Sequence, residues 1–198
     1  MSFLAPRIVD RGAVTAAYVG IGMAVTIAIS FLLIIPIEPI VWLFALPSGM
    51  LIGYYANQRS NRRAGPWGRI LVNGLAAAVA TGLTMAVLLL GVKALFFFAD
   101  NGYRDEGLGG SLTCSPGADC VYQRYLDLGR GPELAAADID DVDAFSAFYW
   151  GQQLTAAGLI LGVTTIGGIV GAGLFGLTRP RPDGDRAAPT TTGSSADI

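Results

Sequence analysis

The stretch ILVNGLAAAVATGLTMAVLLLGV, residues Ile70 to Val92, contains no charged side chain, and Lys93 with Phe96 to Phe98 carries it on towards Ala99. Its apolar residues do not alternate with polar ones, so it is not a strand of a membrane barrel. A helix is the only other backbone that satisfies its own hydrogen bonds in lipid. A hydrocarbon core about 30 Å thick needs roughly 20 helical residues at about 1.5 Å each. The stretch is long enough to cross it.

The same test selects three more segments, which gives spans at residues 13–35, 40–56, 70–99 and 152–177. Over the whole chain 53% of residues are hydrophobic and 14% charged, and the mean hydropathy is +0.53. A soluble domain carries about a quarter charged residues, so the solvent for much of this surface is lipid. Arg7 and Arg11 precede the first span as they would a secretory signal. Its apolar run is too long for a signal core and ends without a small-x-small cleavage site, so it is read as a retained anchor. The expected fold is an all-α membrane protein: a four-transmembrane-helix bundle with a partly helical extracytoplasmic loop domain between the third and fourth helices.

Charge assigns the ends. Residues 1–12, the connector 57–69 and the tail 178–198 together carry nine arginines against four aspartates, a balance of +5. The turn 36–39, Lys93 and the loop 100–151 carry four basic residues against eleven carboxylates, a balance of −7. Basic residues in short connectors stay on the cytoplasmic side. The reading is a multi-pass protein of the plasma membrane with both termini cytoplasmic, an acidic outer loop at 100–151 and a disordered tail. Tyr54, Tyr55 and Trp67 fall at the inner interface, and Trp42, Phe96 to Phe98 and Phe148 to Trp150 at the outer one. Twelve of the thirteen basic residues are arginine, as in a GC-rich bacterial genome.

The only two cysteines, Cys114 and Cys120, both fall in the segment assigned outside and flank the turn-rich Ser115-Pro116-Gly117-Ala118-Asp119. A disulfide there is geometrically feasible and persists in an oxidising compartment. Within the same loop Val121 to Leu128 reads as a short helix and Gly129 to Pro132 as a break. An amphipathic helix follows, with Asp138 as its N-cap and Ile139, Val142, Phe145 and Phe148 or Tyr149 on its apolar face.

Transmembrane helices associate through close backbone packing, for which small residues four apart are the usual device. Each span has such a ladder: Ala16, Gly20, Ala24 and Ala28; Ala45, Gly49 and Gly53; Gly74, Ala78, Gly82 and Ala86; Thr164, Gly168, Ala172 and Gly176. The fourth adds Gly158-x-x-x-Gly162 and Gly167-x-x-x-Gly171, more than one neighbour requires. A second contact is expected there, either self-association or another membrane subunit.

Chemistry is sparse. Glu38 in the outer turn and Lys93 near the outer boundary are the two charges placed for interfacial polar contacts, and Asn57, Asn73 and Thr81 are placed to hydrogen-bond between helices. With no histidine, the chain alone builds no His-ligated metal site, haem site or Ser-His-Asp triad. The acidic run Asp138 to Asp143 lacks the central Gly and terminal Glu of a calcium loop. No catalytic, cofactor-binding or metal-binding residues are assigned, and no nucleic acid partner.

A short first outer loop and a long second one containing cysteines resembles the layout of tetraspanins. The chain lacks their Cys-Cys-Gly motif and second cysteine pair, so the resemblance is one of topology and no residue role carries over. The functional expectation is a non-catalytic accessory or interaction subunit of a membrane or envelope assembly, whose partners are the bilayer and other membrane subunits. The alternatives are a small channel or transporter subunit acting as an oligomer and, behind it, a membrane enzyme using outer-loop carboxylates.

Overall fold

The computed structural model describes residues 9–30, 38–60, 65–99 and 114–178. All of its regular structure is helical: α1 (Arg11–Ala28), α2 (Glu38–Gln58), α3 (Trp67–Phe98), α4 (Ala118–Asp127), α5 (Gly131–Ala136) and α6 (Val142–Thr178). Three of these, α1, α3 and α6, are long and apolar enough to cross a membrane. The chain is thus built as an all-α membrane protein. Arg62, Arg63, Pro36, the loop segment 100–113 and the tail 179–198 lie outside the described residues.

Long helices normally bury their large apolar side chains. Here the pattern is inverted. On α3 the buried positions are mainly small, among them Gly74, Ala77, Ala78, Thr81, Gly82 and Ala86, while Leu71, Leu75, Val79, Leu83 and Val87 face outward. Exposed leucines along a whole helix face suit hydrocarbon rather than water. Small residues inside let the backbones approach, and α2 makes its largest interface with α6, followed by α3 with α6 and α1 with α3.

Two expected boundaries shift. Glu38 and Pro39 do not complete a turn but open α2, where proline costs no intrahelical hydrogen bond. Pro47 lies inside that helix. α6 is one helix of 37 residues, so the amphipathic segment and the fourth apolar segment join through Trp150 and Gly151 without a break.

α4, α5 and the start of α6 form a cap over one end. Its core is Phe97, Val121, Leu134, Ile139, Phe145 and Tyr149. The break expected over Gly129 to Pro132 shrinks to a single turn. Gly129 takes φ 73°, the Arg130 N–H donates to the Tyr125 carbonyl and the Gly129 N–H to that of Leu126, and α5 then starts with proline in its first turn. These are the two bonds of a Schellman ending, which favours a left-handed glycine. The same pair recurs one helix later: the Ile139 N–H donates to Leu134 and the Asp138 N–H to Ala135, with Asp138 itself at φ 53°. Asp138 therefore closes α5 instead of capping α6. The α6 cap is Asp141, whose Oδ1 accepts from the Ala144 N–H at 2.7 Å.

Candidate functional site

The glycines of the ladders divide into two groups by what faces them. A Cβ on Gly49 would overlap the Thr164 carbonyl, on Gly53 the Gly168 carbonyl, and on Gly171 the Met50 carbonyl. Gly167 lies similarly close to the Leu46 carbonyl, Gly168 to Ala78 and Gly74 to Ala172, while Gly82 leaves a Cβ tight but not overlapping against Thr164 and Leu161. Gly20 of α1 sits on Thr81, and Gly176 lies beneath the Trp67 ring. These contacts fuse α1, α2, α3 and α6 into one body.

Gly158 and Gly162 are different. Nothing lies within 4 Å of where a Cβ would stand on either, nor on Gly151. With Thr155 they form an outward stripe along α6, and all four residues are exposed. Beside the cap-proximal part of the stripe is a shallow apolar groove of about 570 Å³, lined by Trp42 of α2 and by Phe148, Gly151, Thr155 and Leu159 of α6. The ladder reading therefore holds two kinds of residue that spacing alone does not separate.

No family model, curated protein or solved structure matches the chain. Its chemistry has to be read from its own residues.

At the end away from the cap, polar side chains are buried and well used. Asn57 Nδ2 donates to the carbonyls of Gly53 at 3.1 Å and Ile70 at 3.0 Å, which ties α2 to α3. The Asp10 N–H donates to Asn73 Oδ1 at 3.1 Å, and the Ser60 hydroxyl donates to the Asp10 carboxylate. Gly12 packs on the backbone of Ala56 and Ser60. The start of α1 is thereby latched to both neighbours. Asn57 and Asn73 fulfil their expected interhelical role, whereas Thr81 turns inward on its own helix and donates to the Ala77 carbonyl at 2.9 Å. Asp10, Ser60 and Gly12 carry no sequence signal beyond proximity to a helix end.

Rings and a surface ion pair contribute to holding the cap. Phe145 is fully buried, with Tyr122 at 5.2 Å and Tyr125 at 5.0 Å between ring centroids. Phe97 of α3 reaches up to Tyr149 at 5.0 Å and so joins the cap to the bundle. The Arg130 guanidinium lies over the Tyr125 ring at 4.1 Å and pairs with Glu133 at 2.8 Å. Partial burial alone would lower the Arg130 pKa, but the Tyr125 hydroxyl and the Glu133 carboxylate outweigh it and hold the pKa above its ordinary value. Cys114 and Cys120 stand at disulfide distance, 5.4 Å between Cα atoms, at the start of α4.

Of the two charges singled out in the sequence, Glu38 is the first residue of α2 and Lys93 is a half-buried residue of α3 one turn below Phe97. Among the described residues no group of three or more His, Cys, Asp or Glu side chains is placed to hold a metal ion.

Proposed function

We propose that the chain is a non-catalytic, multi-pass subunit of the plasma membrane that associates with another membrane helix, its own copy or a partner's, through the outward face of α6. In this reading α1, α2, α3 and α6 are the four spans, both termini are cytoplasmic and the cap is extracytoplasmic. The +5 against −7 charge division supports that orientation, and a cysteine pair at disulfide distance in the cap suits an oxidising exterior.

The observation that carries the proposal is the open space over Gly151, Gly158 and Gly162, on a helix whose other glycines are all but one pressed against neighbours. Glycine costs about 1 kcal/mol relative to alanine in a helix, so three on an exposed face are a standing penalty that close approach of a second helix would offset. A photo-crosslinking side chain placed at Gly158 or Gly162 in native membranes should give one discrete protein adduct. The same probe at Leu83 or Val87, on the outward face of α3, should give only lipid. Equal, diffuse labelling at all four positions would remove the proposal.

A further inference from the structure

At the cap end two apolar clusters meet, and the residues between them are polar. On α6, Tyr149 belongs to the cap cluster and Ala157 to the cluster beneath it, and Gln153 lies one turn from each on the same face. On α3, Phe97 and Leu89 belong to the same two clusters, with Lys93 one turn from each.

The register between helices places these residues together. α3 and α6 run antiparallel, with Gly74 against Ala172, Ala78 against Gly168, Gly82 against Thr164 and Phe97 against Tyr149. Continued along that register, Lys93 falls opposite Gln153. α2 runs parallel to α6, with Gly49 against Thr164 and Gly53 against Gly168, and the same count puts Glu38 at this level. α3 and α6 thus bring a base and an amide to one layer, and α2 begins at the same level.

Gln153 is the anomaly within it. The residue is only 7% exposed, yet its Oε1 is buried and accepts no hydrogen bond among the described residues. Leaving such a carbonyl dry is costly, and native structures rarely do so without an ordered water or ion at the site. We propose that Gln153 Oε1 is one wall of a binding site for a small neutral hydrogen-bond donor, an internal water molecule held in the polar layer between the two clusters. A cation would be repelled by the charge of Lys93 at the same level, whereas a neutral donor is not. Internal waters bond otherwise unsatisfied buried polar groups, and the Gln153 carbonyl is such a group.

The test uses the full-length protein, isotope-labelled in bilayers of deuterated lipid, with magnetisation transferred from water to protein. The Gln153 side-chain NH2 should build up within about twofold of the rate for Gln152, its more accessible neighbour, while Ala157 and Ile160 lag well behind. Build-up at Gln153 as slow as at Ala157 would overturn the site. A second reading comes from thermal unfolding of Gln153→Leu. A lowered Tm is expected, because the water loses a partner; a raised Tm would show that the amide had been buried dry. The wild-type measurement stands whether or not the variant folds.

Discussion

α6 presents glycine to two very different surroundings. Gly167, Gly168 and Gly171 face carbonyls and methyls so near that no side chain fits, while Gly158 and Gly162, on the same helix and at the same four-residue spacing, face nothing. A small-x-x-x-small pattern reports that close approach is possible there. It does not say to which partner, because that depends on how the other helices are arranged around the axis. The inward group belongs to folding, and the outward group has nothing within 4 Å of where a side chain would start.

Substitutions can break this contrast or sharpen it. The largest effect is expected from Gly171→Leu, whose side chain would be driven into the Met50 backbone. Overpacking against a wall that cannot yield should cost about 3 kcal/mol or more, read as loss of monodisperse protein in size-exclusion chromatography. Gly168→Ala adds one methyl against Ala78 and should destabilise by about 1 to 3 kcal/mol in detergent or denaturant titrations. The outward double variant Gly158→Leu with Gly162→Leu should stabilise the isolated chain by about 1 kcal/mol through helix propensity, yet abolish the crosslinked adduct. A stability loss there equal to that of Gly168→Ala would erase the distinction between the faces. Smallest of all, Gly162→Ala should raise the helix stability of the isolated chain by about 0.5 kcal/mol or slightly more, through propensity alone.

Much of the frame was legible because it rests on local regularities. Uncharged runs gave the long helices, and the apolar positions Phe145 and Tyr149 gave the buried face of the α6 start, with Ile139 buried in the link before it. Misreadings arose where one residue type serves two backbone roles. Asp138 has the chemistry of an N-cap and also tolerates the left-handed conformation that ends α5, and the Schellman bonds decide between them. Pro132 reads as a breaker but is well placed in a first helical turn. Asp10 and Ser60 were hidden for another reason: they sit 50 residues apart and are joined only by folding, so in sequence both look like solvated ends. Gln153 was invisible as an anomaly, since an amide in an apolar run becomes notable only when its partners are known to be missing.

The 37 residues of α6, at about 1.5 Å each, make a rod about 55 Å long, against a hydrocarbon core of about 30 Å. Its upper turns carry Phe145 and Tyr149 of the cap, and near its lower end Gly176 is pinned by Trp67. No loop interrupts the helix between them, so the cap and the Trp67 end are two ends of one continuous rod.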